Sequence, residues 1–157
     1  ASAVTPEQAG MWVYPYEDDR EHTIYNMVNG LLLRPYVSGM VWKMSGSNLE
    51  LMKEGIDLYK HIRGEIKEAV PFFPLGFCDV RDSVLAYGLK GDKNTYLAVF
   101  MPHAREGSIP IDFADQVEAV SVIYPKEEDC SYCLKNGELK IAMPQETCGR
   151  LFKFTLK

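Results

Sequence analysis

A change in hydrophobic periodicity near residue 70 limits this chain to a fold with a helical first part and a strand-rich second part. Before residue 70, apolar residues recur at the spacing of amphipathic helices, and beyond it short apolar segments alternate with turn residues. We therefore predict an α+β chain with two parts, residues 1–69 and residues 70–157. At 157 residues and 46% hydrophobic content, the chain can bury a sizeable core.

The first predicted helix covers residues 24–33, where apolar side chains form one stripe. Asp18 and Glu21 have the spacing of a helix start signal. Pro35 ends the helix, because its ring disfavours the helical conformation of the residue before it. Residues 1–19 carry two prolines and a glycine and are predicted to form a loop.

A strand and a second helix are predicted next. Residues 36–44 are β-branched and aromatic, which predicts a buried strand. Ser47 and Glu50 have capping-box spacing, so a long helix is expected over residues 49–67. Helix, strand and helix together are typical of α/β architecture. Because a parallel sheet needs several strands, we expect the others upstream of Ala1.

The second part is predicted to be an antiparallel β-sandwich. Residues 70–77, VPFFPLGF, form a proline-rich connector. The Asn136-Gly137 pair is the strongest hairpin signal, because both residues tolerate a positive φ. Six strand-like segments follow the connector: SVLAYGLKG, NTYLAVFMP, SIPIDF, VEAVSVIYP, SYCLKNGELKIAM and RLFKFTLK.

Charge and composition exclude several classes of partner. A net charge of −5 argues against nucleic acid or an anionic membrane, because no clustered positive charge is available for phosphate. The most apolar stretch, residues 24–44, is interrupted by polar residues and a proline and is not expected to cross a membrane. Four unevenly spaced cysteines indicate a reduced, cytoplasmic protein. The chain lacks an initiating Met, so we expect a cut precursor or a piece of a longer protein.

Few residues suggest metal or redox chemistry. Cys130 and Cys133 have C-x-x-C spacing, but neither a second pair nor a helix at the first cysteine accompanies them. We interpret them as packing cysteines and leave a metal or redox role open. His22, His61 and His103 have no second ligand at metal-binding spacing and are predicted to lie on surfaces or helix faces. No metal and no cofactor is predicted.

The acidic residues are interpreted as surface charges. Glu50, Glu54 and Asp57 share helical spacing and could form a catalytic carboxylate pair, but the solvated side of a helix is the preferred interpretation. The acidic residues of the second part are predicted to be loop charges with no partner pattern: Asp112, Asp115, Glu127, Glu128 and Asp129.

Three segments resemble a known family. SAVTPEQAGMWVYPYEDDREHTIYNMVNGLLLRPYVSG, EGIDLYKHIR and VPFFPLGF are similar to the last portion of bacterial α-galactosidases of glycoside hydrolase family 36, the melibiase-like enzymes. The resemblance is dense over residues 2–77 and thin beyond. It implies that residues 1–69 are the terminal portion of a (β/α)8 barrel and that residues 70–157 are a C-terminal antiparallel β domain. It also places residues 1–16 and 45–47 near the catalytic end of the barrel.

The resemblance implies a retaining hydrolase with two catalytic aspartates about 5 Å apart, one of them a nucleophile. Both motifs of the family precede the region matched here, so no catalytic residue is assigned and the chain is expected to be inactive alone. Its partners would be α-galactosides, bound through the parent enzyme, and either the upstream catalytic segment or a second copy of the chain.

Aromatic residues near the start are the candidate substrate contacts. Trp12 and Tyr14, with Tyr16 beside them, could stack on a sugar ring at the rim of the barrel. Alternatively they could tie the loop to the barrel surface or to a neighbouring subunit. Two other functions remain open for the whole chain, namely a non-catalytic carbohydrate-binding module and a structural or oligomerisation module.

Overall fold

The computed structural model describes residues 4–6, 8–15, 18–79, 81–127 and 129–157. Tyr16 and Glu128 lie outside the described residues. Two α-helices and ten β-strands are formed within the described ranges. In chain order they are β1 Gly10–Val13, α1 Arg20–Leu31, β2 Arg34–Val37, α2 Gly46–Ile66, β3 Val70–Phe72, β4 Leu85–Lys90, β5 Asn94–Met101, β6 Glu106–Pro110, β7 Val117–Tyr124, β8 Ser131–Lys135, β9 Glu138–Ala142 and β10 Cys148–Leu156.

The strands form three sheets. Strands β1 and β2 make a parallel pair, and α1 connects them. The largest sheet is antiparallel, with the order β3-β4-β5-β10-β7, and a smaller antiparallel sheet has the order β6-β9-β8. The chain is therefore α+β with antiparallel sheets, as predicted. No helix within the described residues is long and apolar enough to cross a membrane.

The five-stranded sheet separates two hydrophobic cores, and β5 shows this most clearly. Tyr96, Ala98 and Phe100 belong to the core shared with α1 and α2. Leu97 and Val99, which alternate with them, belong to the core shared with the three-stranded sheet. Since successive side chains of a strand point to opposite faces, this arrangement stacks helices, large sheet and small sheet as three layers.

The helices pack closely on each other and on the large sheet. Gly55 of α2 lies where α1 approaches, since a Cβ added there would be 2.5 Å from Met27 Cε and 3.2 Å from Tyr124 Cε2. The hydroxyl of Tyr124 donates to the carbonyl of Leu51 at 3.1 Å. These contacts fix α2 against both α1 and β7.

The helices begin at Arg20 and Gly46, four and three residues before the predicted ranges, and their N-caps differ by one or two residues from the predicted start signals. The N-cap of α1 is Asp19, whose carboxylate accepts from the amide of His22 at 2.7 Å, and not Asp18. The N-cap of α2 is Ser45 rather than Ser47. Asp18 is used elsewhere, because its carboxylate binds the start of α2, so the prediction was wrong about which side chain caps which helix.

The prediction of a buried strand over residues 36–44 was also wrong. The strand β2 ends at Val37, and Gly39 turns the chain with a φ of 98°, which a residue with a Cβ rarely adopts. Residues 41–43 form a short 3-10 helix. The segment is largely exposed because no second layer formed by the described residues lies above its apolar side chains, and Trp42 reaches 78% exposure.

Residues 1–19 were predicted to be loop, yet β1 lies within them. The six strand-like segments of the second part were predicted correctly and form β4 to β10. The hairpin is confirmed, with φ of 53° at Asn136 and 78° at Gly137 between β8 and β9. The connector differs in one respect, since β3 lies within it and pairs with β4.

Candidate functional site

The candidate site is the open face and carboxyl end of the parallel pair β1–β2. One side of the pair faces α1, where Val13 is fully buried and a Cβ on Gly30 would be 2.5 Å from Val13 Cγ2. On the other side, Trp12 and Tyr36 are partners in register, with ring centroids 6.0 Å apart. Trp12 is 67% exposed, so its indole is accessible in this structure.

A cation flanks the aromatic pair. The guanidinium carbon of Arg34 lies 5.5 Å from the ring centroid of Tyr36, within the range of a cation–π interaction. Together the indole, the phenol and the guanidinium present a surface with apolar faces and polar edges. Such a surface suits an amphipathic ring, including that of a sugar.

The predicted contact Tyr14 lies just beyond the end of β1, close to the loop that follows β2. The amide of Ser38 donates to the carbonyl of Val13 at 2.9 Å. A Cβ added to Gly39 would be 3.0 Å from the carbonyl oxygen of Pro15 and 3.7 Å from Tyr14 Cδ2. The two loops are therefore in contact, and Tyr14, at 46% exposure, sits at their junction.

Asp18 connects these loops to the start of α2. Its Oδ1 accepts from the amide of Ser45 at 2.9 Å, from the Ser45 hydroxyl at 2.9 Å and from Asn48 Nδ2 at 2.7 Å. The amide of Ser45, followed by the side chains of Asn48 and Ser45, lowers the pKa of Asp18. Residues 45–47, expected near the catalytic end, thus lie beside the segment that follows β1.

The carboxylates considered for catalysis have structural partners. They border a groove of about 510 Å³ along α2. Glu54 accepts from the amide of Lys126 at 2.6 Å, Asp57 pairs with Lys60 at 3.2 Å, and Glu50 lies 3.9 Å from Lys53. This is the solvated, ion-paired helix side that the sequence suggested.

Three of the acidic loop residues of the second part form ion pairs that the sequence did not predict. Asp112 pairs with Lys90 at 2.9 Å, and Glu127 pairs with Arg20 at 3.0 Å. Asp129 accepts from the buried Arg150 at 2.7 Å. The prediction that these three residues lack partners was wrong, because each partner is distant in sequence. Asp115 contributes its backbone carbonyl to Lys157.

A buried ionic cluster was missed altogether. Arg150 on β10 is fully buried and binds both carboxylate oxygens of Glu21, at 2.8 and 3.1 Å. Arg20 joins the cluster through Glu21 at 2.7 Å and Asp129 at 2.8 Å. The sequence signal for this cluster was an arginine within the apolar strand RLFKF. A charged side chain that is buried in such a strand needs an ion-pair partner.

Cysteines and histidines do not converge on a site. The four cysteines, all among the described residues, form no disulfide, with Cys133 exposed on β8 and Cys148 buried on β10. His61 and His103 are exposed, and His22 contacts Asn26 within α1. Within the described ranges, no three His, Cys, Asp or Glu side chains are grouped as metal ligands would be.

Comparison with known proteins identifies the fold. No protein-family model matches the chain, and no curated protein matches it in sequence. Among solved structures, the α-galactosidase of Lactobacillus brevis superposes with a TM-score of 0.69 over 98% of this chain and 23% of its own, at 14% identity. The GH36 α-galactosidase AgaA of Geobacillus stearothermophilus gives 0.65 over 98% and 22%, at 9% identity. This chain has the fold of one part of the GH36 α-galactosidases.

The chain spans less than a quarter of these GH36 α-galactosidases, which fits the C-terminal fragment that the sequence resemblance indicated. An α-amylase of Anoxybacillus is also similar, with a TM-score of 0.60 over 94% of this chain and 38% of its own, at 9% identity. Because glycosidases with different substrates share the fold, the fold alone does not select one sugar.

Proposed function

We propose that the chain is the C-terminal fragment of a retaining glycoside hydrolase that acts on α-galactosides. Residues 1–69 would complete the catalytic (β/α)8 barrel, and residues 70–157 would form the C-terminal β domain. The observation that supports this proposal most is the parallel pair β1–β2, covered by α1 on one face and open on the other.

A parallel pair of this kind is incomplete by itself. Parallel sheets occur almost only where both faces are covered, and two strands alone are marginally stable in water. Here Trp12 and Tyr36 remain 67% and 43% exposed on the uncovered face. Further parallel strands would pair with the edges of β1 and β2 and place this face inside a barrel.

The chain is expected to lack turnover, since the family places both catalytic aspartates before the matched region. The test incubates the purified 157 residues with an aryl α-galactoside and follows release of the phenol. Turnover above that of heat-denatured chain would contradict the proposal. Sequencing the gene upstream of Ala1 gives the complementary result, and we expect further strand-helix units there with an aspartate at a strand end.

Trp12 and Tyr14 are the proposed substrate contacts. Structures of AgaA variants in complex with raffinose and stachyose support oligosaccharides of that type as the substrate class. In the complete enzyme, Tyr14→Ala is expected to raise KM about tenfold, because a stacking face at the rim is lost, whereas Tyr14→Phe retains it. Equal KM values for wild type and Tyr14→Ala would remove Tyr14 from the site.

A second candidate function is a non-catalytic module that binds sugar or a second copy of the chain through the same face. The exposed aromatic pair Trp12–Tyr36 favours it. Calorimetry with raffinose tests whether this face binds sugar. Heat of binding without hydrolysis would indicate that the isolated chain binds the sugar. Sedimentation addresses oligomerisation, because a monomer at high concentration would show that no second copy covers this face.

A further inference from the structure

Four consecutive residues, Asp18 to Glu21, each bind a different part of the structure. Asp18 holds the start of α2 through Ser45 and Asn48, and Asp19 caps α1. Arg20 pairs with the segment that follows β7, and Glu21 pairs with β10. This segment therefore connects α1, the start of α2 and β10, and the start of α2 follows the loop whose Gly39 approaches Pro15 and Tyr14.

Arg150 on β10 is the residue that binds Glu21, the last of these four residues. Its guanidinium has five N–H donors in a fixed plane, and the described contacts engage Nε and both terminal nitrogens. Glu21 accepts from both terminal nitrogens, Asp129 accepts from Nε and one terminal nitrogen, and the carbonyl of Gly149 accepts at 2.7 Å. Because a bidentate pair is directional, Glu21 meets these donors in one orientation of α1 on β10.

We propose that Arg150 is a positioning residue for the two loops at the carboxyl ends of β1 and β2, acting through Glu21 and the adjoining Asp18. The β domain would thereby set the geometry of the rim that Tyr14 occupies. Calling these loops a substrate rim rests on the proposed function. The expected effect of Arg150 on the order of these loops is independent of that function. The positioning proposal and the proposed function can therefore fail separately.

Positioning is distinct from simple stabilisation. Replacing a buried ion pair by apolar side chains of similar size is often neutral or stabilising, whereas removing one partner leaves an uncompensated buried charge. An apolar pair at residues 21 and 150 would therefore retain packing while losing direction. If Arg150 fixes the orientation of α1 through its hydrogen bonds to Glu21, the loops lose order in this variant although the sheet remains intact.

The experiment compares amide exchange, followed by NMR, in the wild type and in the double variant Glu21→Leu with Arg150→Leu. The reporting amides are those of Ser38 and Ser45, which bond to the Val13 carbonyl and to Asp18. Leu97 and Val99 in β5 report the sheet. The control is Lys153→Met, which removes a positive charge from the same strand at a residue that forms no ion pair within the described part of the chain.

We expect exchange at Ser38 and Ser45 to accelerate at least tenfold in the leucine pair, with Leu97 and Val99 within about threefold of wild type. Wild-type exchange at both loop amides in this variant would overturn the proposal. If the leucine pair does not fold, Glu21→Gln decides, since it keeps volume and removes one acceptor. Faster loop exchange in Glu21→Gln with Leu97 and Val99 unchanged supports positioning, whereas unchanged loop exchange, or equal acceleration at the loop and sheet amides, overturns it.

Discussion

The carboxylate of Glu65 accepts a hydrogen bond from the hydroxyl of Tyr96 at 2.8 Å and thereby joins the end of α2 to the middle of β5. Asn94 Nδ2 donates to the same oxygen, also at 2.8 Å. The hydrogen bond from Asn94, and then that from Tyr96, lower the pKa of Glu65 although burial opposes the shift.

Acid is expected to weaken this contact. Because the pKa of Glu65 is lower in the folded chain than in the unfolded chain, Glu65 contributes stability above its ordinary pKa, and the contribution is lost as the pH falls through the folded pKa. Glu65→Gln should flatten the loss of stability between about pH 5 and about pH 3. Since Glu65 is largely exposed, we expect less than ~1 kcal/mol in urea titrations. Glu68→Gln, at an exposed residue paired with Lys67, is the control, and equal pH profiles for both variants would contradict the prediction.

Tyr96→Phe tests the same contact at neutral pH. The variant removes one hydrogen bond to a largely exposed carboxylate and leaves the ring in the core, so the free energy of unfolding should fall by about 0.5–1 kcal/mol. Measurement is by urea denaturation. Combination with Glu65→Gln should cost less than the sum of the two single variants, because Tyr96→Phe removes this hydrogen bond and Glu65→Gln weakens it by removing the charge of its acceptor. Strict additivity would show that the two groups do not interact.

Two glycines of α2 form a matched pair for mutation to alanine. A Cβ added to Gly64 would have no atom within 4 Å, so Gly64→Ala should stabilise by about 0.5–1 kcal/mol through helix propensity. Gly55→Ala places the same methyl against Met27 and Tyr124, where crowding costs about 1–3 kcal/mol. Thermal unfolding should rank Gly64→Ala above wild type and Gly55→Ala below it. A gain in both variants would show that α1 and α2 are less closely packed.

The hairpin offers a test of backbone conformation alone. Gly137→Ala should destabilise by about 1–2 kcal/mol, because its φ of 78° disfavours a Cβ although no atom lies near it. Asn136→Gly should be near neutral, since glycine adopts the same region readily. Urea denaturation of both variants checks this, and a loss in Asn136→Gly equal to that in Gly137→Ala would indicate that another feature of the turn matters.

The exposed indoles can be tested by quenching. Trp12 and Trp42 are 67% and 78% exposed, so acrylamide should quench both in the single-tryptophan variants Trp42→Phe and Trp12→Phe. Trp12→Phe should also change the free energy of unfolding by less than about 1 kcal/mol, because little apolar area is buried. Strong protection of Trp12 from acrylamide in the isolated chain would show that a second molecule covers the open face.

Local pattern predicted the helices and the strands of the β part, because their apolar spacing and turn residues agree with the final contacts. It did not predict β1, although Met11 and Val13 alternate, since two prolines and a glycine favoured a loop. Asp18 and Asp19 are chemically equal as caps, and the choice between them depends on α2, 27 residues away. Long-range geometry, not local preference, separated them.

The candidate site also combines residues that the sequence singled out with residues that only long-range contacts reveal. The sequence resemblance suggested Trp12 and Tyr14 as substrate contacts, which stays a prediction, and both side chains are exposed in the structure. It did not reveal Arg150, whose partners Glu21 and Asp129 lie 129 and 21 residues away. Pairings over such distances have no periodicity, so only the folded chain brings them together.

The alternation along β5 makes folding of this chain intolerant of a register error. A slip of one residue against β10 would exchange the side chains of the two cores, putting Tyr96 and Phe100 beneath the small sheet and Leu97 and Val99 beneath the helices. The hydroxyl of Tyr96 would then lose Glu65 and enter an apolar layer. Neither the helices nor the small sheet would then pack well on the large sheet. The exposed strand edges of such a mispaired chain could pair with other chains and aggregate.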